Sequence, residues 1–136
     1  MMLVTILTSL VLAGALPSSA QSDVTRIAYA AIPSVATLIM QDASGQPVSL
    51  GSGFLIGDDL VATNYHVIEG SAAGQVRFPG SKATHKIEGL TAVDATRDLA
   101  IVRVSSPSDL EPLRMSGSAA PAVGDEVVVI GILEPR

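Results

Sequence analysis

Cysteine is absent from this 136-residue chain, which excludes both a disulfide framework and a cysteine-linked lipid anchor. A cationic patch is missing too: Arg77, Lys82, Lys86 and Arg103 are spread among acids, and the formal net charge is -5. Nucleic acid is therefore not expected as a partner. No connecting stretch is long and amphipathic enough to be a crossover helix, which disfavours a parallel βαβ fold. Internal repeats are lacking. Two histidines without any cysteine are too few for a set of three or four metal ligands. A chain of this length has room for one domain and a leader, and buries roughly two-thirds of its unfolded surface.

The leader is read at residues 1–20, a charge-free stretch with an apolar run over 3–13. It closes on Leu16-Pro17-Ser18-Ser19-Ala20, where proline breaks a helix and small residues fill the cleavage positions. That pattern predicts a secretory signal peptide and hence export. Positive charge ahead of the run comes from the terminal amine alone. The run is shorter than the roughly 20 residues that cross a bilayer, which disfavours an uncleaved anchor. All charged residues follow Ala20, so the mature chain keeps its net charge.

Residues 21–32 form a short lead-in, readable as a frayed segment or a single helical turn. From Pro33 the pattern becomes β. Candidate strands fall at 35–40, 48–56, Leu60–Thr63, 75–78, 85–92, Leu99–Val104 and 126–130, rich in Val, Ile, Leu and Thr. Turn clusters such as Asp42-Ala43-Ser44-Gly45-Gln46-Pro47 and Pro79-Gly80-Ser81 separate them. Short strands at this spacing predict an all-β domain, an antiparallel sandwich or barrel. Residues 105–122 form the one long, weakly patterned connection, held out of regular structure by Pro107, Pro112 and Pro121.

Two residues suggest chemistry. His66 lies in Thr63-Asn64-Tyr65-His66-Val67, just after an apolar strand, where a ring can reach a cleft from a rigid backbone. Asp98 heads the strand Leu99-Ala100-Ile101-Val102, and an aspartate held there needs a donor such as an imidazole N–H. Asp94 competes for that role but sits farther from the strand. Together His66 and Asp98 make two members of a Ser-His-Asp device, in which the carboxylate fixes the imidazole that takes the nucleophile's proton. The third member is missing. Ser52, in Gly51-Ser52-Gly53, lies inside a strand pattern, where paired glycines mark a bulge or a close approach. Ser44 and Ser116 each precede a single glycine and are weaker candidates. His85 reads as a surface histidine on a strand edge.

Five pieces in this order resemble the first half of a trypsin-like serine protease of the HtrA (Deg) type. They are Pro33-Ser34-Val35, Gly51-Ser52-Gly53-Phe54-Leu55-Ile56, Thr63-Asn64-Tyr65-His66-Val67, residues 94–98 with Leu99-Ala100-Ile101, and Val123-Gly124-Asp125-Glu126-Val127 continuing to Gly131. The resemblance implies that 33–136 is an antiparallel six-stranded Greek-key barrel, the first of two, with 126–130 as its last strand. It implies His66 as general base and Asp98 as its orienting partner. The nucleophile, in a Gly-x-Ser-Gly turn, and the oxyanion hole would belong to a second barrel not found here. After Gly131 the family continues with a polar residue, Pro and Gly, whereas this chain reads Ile132-Leu133-Glu134-Pro135-Arg136. The expected substrate of the full-length form is a polypeptide, the compartment the bacterial periplasm or exterior, and the cofactor none, since triad chemistry uses side chains and water. The 136-residue chain alone is expected to be inactive. A non-catalytic binding module is the alternative, self-associating through the barrel face that a second barrel would cover.

Overall fold

The computed structural model of the protein describes residues 19–105, 109–117 and 120–131. The expected leader, apart from Ser19 and Ala20, lies outside the described residues. Helix α1 (Ser19–Ala31) and a 3-10 turn (Ile32–Ser34) lead into strands β1 (Val35–Gln41), β2 (Pro47–Leu55) and β3 (Leu60–Thr63). The one-turn helix α2 (Tyr65–Ile68) follows, then β4 (Ala73–Arg77), β5 (Thr84–Asp94), a second 3-10 turn (Ala95–Arg97) and β6 (Leu99–Val104).

The six strands close into an antiparallel barrel in the order β1-β2-β3-β6-β5-β4, with β4 paired back onto β1. Two hairpin connections make β1–β2–β3. The chain then crosses over through α2 to the far side, and β4–β5–β6 return until β6 meets β3. This is the Greek-key path the resemblance implied.

Period-two alternation decides which side chains face inward. Ala36, Leu38 and Met40 of β1 meet Leu55, Val61, Val76, Val102 and Val104 from the other strands, all buried. Large residues oppose small ones across the ladder: Leu38 pairs with Gly51 and Met40 with Gly74. A Cβ at Gly74 would stand 2.6 Å from Met40 Sδ, so glycine there makes room for the thioether. Val67 of α2 and Phe78 after β4 complete the core.

The segment after β6 straps across the start of β1. Leu113 N–H donates to the Leu55 carbonyl at 2.8 Å, the Ser34 hydroxyl donates to the Glu111 carbonyl at 2.6 Å, and Leu110 packs on the core. Both faces of early β1 are buried as a result, Val35 and Thr37 included. Among the described residues no buried side-chain polar atom lacks a partner.

Two expectations change. The lead-in is a 13-residue helix and not a single turn. Residues 126–130 are not a strand: past the turn where the Asp125 carboxylate accepts from Ala122 N–H at 2.7 Å, they pair with no ladder among the described residues. The ring closes without this segment, β4 pairing back onto β1, so it is not needed to complete the barrel. Among the described residues no helix is long and apolar enough to cross a membrane.

Candidate active site

Strand β3 ends on Thr63, whose buried hydroxyl donates to the Ser52 carbonyl at 2.9 Å. The chain then turns through Asn64, in extended conformation, into α2, which carries His66. Val67 anchors this single turn on the barrel by sitting directly over Gly51, where any Cβ would overlap its methyl groups. Gly53 is equally confined, since a Cβ would lie 2.7 Å from the Ala62 carbonyl oxygen. The Gly51-Ser52-Gly53 run is therefore a close approach, one of its two sequence readings. It is not a bulge, because its register with β1 is unbroken.

Strand β6 pairs with β3, placing Ala100 beside Thr63, so the residues just before β6 come to rest beside the start of α2. Asp94 closes β5 and caps the 3-10 turn: its Oδ1 accepts from Arg97 N–H at 3.1 Å and its Oδ2 from Arg97 Nη1 at 2.8 Å. Asp98 follows in the left-handed conformation, with φ 54° and ψ 47°. From there its carboxylate grips His66 twice. Oδ1 accepts from the His66 backbone N–H at 2.8 Å, and Oδ2 lies 2.6 Å from His66 Nδ1.

An ionised carboxylate can only accept, so in this pair Nδ1 carries the proton. The His66 backbone N–H, then its ring and charge, hold the Asp98 carboxyl below its ordinary value against the opposing effect of desolvation. Imidazole geometry puts Nε2 on the ring edge away from the carboxylate, and the His66 side chain is 68 % exposed. A ring oriented at one nitrogen and open at the other can take a proton from a group brought against it.

The sequence candidates thus sort cleanly. His66 and Asp98 come together. Asp94 is occupied by Arg97, a capping role that an Asp ahead of Ala95-Thr96-Arg97 could have signalled. His85 is structural, its Nδ1 2.9 Å from the Ser105 carbonyl and its ring edge-on to Phe78. Ser44 lies in the β1–β2 turn and donates to Asp42 Oδ1 at 2.7 Å. Asn64, passed over in the sequence, donates from Nδ2 to the Asp98 carbonyl at 3.1 Å.

A closed Greek-key barrel presenting a hydrogen-bonded His–Asp pair beside its β3 and β6 strands defines a class of β protein. The comparisons narrow it. Residues 51–136 match the trypsin-like peptidase domain, and the chain belongs to that family. Within it, the similarity is to HtrA-type serine proteases. The chain is 35 % identical over 86 residues to mitochondrial serine protease HTRA2 of Bos taurus, covering 62 % of this chain and 18 % of that protein. It is 34 % identical over 87 residues to the periplasmic serine endoprotease DegP of Escherichia coli, again 62 % of this chain and 18 % of that one. An anti-sigma-I factor, RsgI9 of Acetivibrio thermocellus, is 29 % identical over 98 residues, covering 72 % of this chain and 14 % of that protein. The chain thus spans between 14 and 18 % of the length of these relatives. In fold it is similar to a serine endoprotease from Yersinia pestis, with TM-score 0.65 and 22 % identity over 82 % of this chain and 38 % of that one.

Proposed function

We propose that this chain supplies the base half of an exported serine endopeptidase, with His66 as general base and Asp98 as its orienting partner. The observation that carries the reading is the double grip of one carboxylate on the backbone N–H and ring Nδ1 of a single histidine. Gripping both fixes the ring's rotation as well as its tautomer. Nε2 is then aimed outward with its lone pair available, as a nucleophile's base requires.

The nucleophilic serine and its oxyanion donors belong, on this reading, to a second barrel that packs beside the His66 ring. Strands β1 to β6 make the first barrel, and residues 1–20 are the leader that directs it out of the cytoplasm. The substrate is a polypeptide, and no cofactor takes part. The exposed apolar side chains Leu90, Val93 and Leu99, close to Asp98 along β5 and β6, mark the face available to that second barrel. In the 136-residue chain on its own the same face should promote self-association, to be read as a concentration-dependent sedimentation coefficient.

The 136-residue chain alone should not hydrolyse peptides. Removal of the nucleophile from a triad costs on the order of a million-fold in kcat. In the complete gene product, Asp98→Asn should lower kcat by about 10⁴-fold, because the amide would favour the wrong imidazole tautomer. Unaltered hydrolysis by that variant would remove Asp98 from the mechanism.

A further inference from the structure

We infer that Asn64 is a positioning residue whose side-chain amide holds the Asp98 backbone in the left-handed turn from which the carboxylate reaches His66. The inference rests on the reading of His66 and Asp98 as base and orienting partner.

Three observations converge on it. Asn64 occupies the N-cap position of α2, where an Asn side chain would ordinarily accept from an amide of the first turn, yet it makes no such bond. Its Nδ2 turns the other way and donates to the Asp98 carbonyl. The cap is supplied instead by Asp98, whose Oδ1 takes the His66 N–H. The two residues have exchanged roles: the aspartate from the β5–β6 connection caps the helix, and the native cap residue secures the aspartate.

The exchange matters because of backbone conformation. Asp98 is the one non-glycine residue with positive φ among the described residues. Such a conformation persists where its surroundings over-determine it. On the N-terminal side the turn is fixed by the Asp94–Arg97 bonds. On the other side the Asp98 carbonyl is held by Asn64. Both oxygens that grip His66 sit on one short side chain, so a small rotation of the Asp98 backbone moves both. Releasing the carbonyl would loosen the ring bond and the helix cap together.

Asn64 is exposed and lies outside the core, so its substitution is not expected to unfold the barrel. Asn64→Ala removes the donor; Asn64→Asp keeps the volume but sets a charged acceptor against the carbonyl. The readout is ¹⁵N NMR of the imidazole nitrogens in the full 136-residue chain, at a pH where the rings are neutral. In the wild type the Nδ1–H tautomer of His66 should dominate. Both variants should lower its Nδ1–H to Nε2–H ratio by about fivefold, the worth of one hydrogen bond. His85, bonded to the Ser105 carbonyl, is the internal control and should not change. A tautomer ratio preserved in both variants overturns the role of Asn64 alone. A wild-type His66 that favours Nε2–H overturns the His66–Asp98 pairing, and this inference with it.

Discussion

The barrel and the segment that follows it are written in the same residues and end in opposite environments. Val61, Val102 and Val104 are 0 %, 2 % and 1 % exposed, whereas Val127 and Val129 are 65 % and 91 % exposed. Local preference cannot explain the difference, because β-branched runs suit a strand in both places. What differs is the presence of a partner. Residues 99–104 find β3 on one side and β5 on the other; residues 126–130 pair with no strand among the described residues. A strand is a property of a pair, and among the described residues the second region has none.

The contrast breaks most visibly under core truncation. Leu38→Ala deletes a fully buried side chain at the centre of β1 and should cost about 2–5 kcal/mol, measured by urea unfolding. Val129→Ala should change stability by no more than about 0.5 kcal/mol. Equal losses at the two positions would mean that 126–130 is packed as tightly as the barrel.

Glycine substitution sharpens the comparison at smaller amplitude. Gly51→Ala forces a methyl into Val67 and should cost about 1–3 kcal/mol, with chemical-shift changes spreading through α2 to His66. Gly117→Ala, with nothing within 4 Å of its added Cβ, should leave the melting curve in place. A silent Gly51→Ala would show that α2 is not seated on that glycine.

The smallest effect separates the site from the rest of the surface by pH. Asp98 has a folded-state pKa below its ordinary value, so its bonds to His66 stabilise the fold fully above the unfolded-state pKa of about 3.9. That contribution fades as pH falls through the lower folded-state value. Asp42, held down by the Ser44 hydroxyl and then the Gln46 amide in the β1–β2 turn, behaves with the same sign. Asp98→Asn should therefore flatten part of the acid limb of stability against pH, while leaving the part due to Asp42. An unchanged acid limb would show that the Asp98 bonds do not persist in solution.

Much of this was legible from the chain itself. Alternation gave β3 and β6 their observed bounds, because each follows an aspartate and runs into a largely apolar stretch rich in Val, Ile and Leu. β4 starts two residues before its expected position, at Ala73, since Ala73 and Gly74 carry little strand signal and pair through the register with β1. α1 was hard to see because its apolar face, Val24, Ile27, Ala28 and Ala31, is short and half made of alanine, and its contacts are chiefly with the turn that follows it. His66 and Asp98 were visible as residue types at strand ends. Their grip was not: it depends on a left-handed backbone at Asp98, on Asp94 acting as a cap, and on Asn64 turning away from its own helix. Of these only the Asp94 cap left a trace in the sequence.

The central claim is that His66 and Asp98 activate a serine lying beyond this barrel. The most direct measurement is fluorophosphonate labelling of the complete gene product, followed by mapping of the modified serine in wild type and in His66→Ala. The account predicts a single label on a serine C-terminal to Arg136, lost by several orders of magnitude in rate when His66 is removed. A label on Ser44, Ser52 or Ser116, or one that forms equally fast without His66, would contradict it.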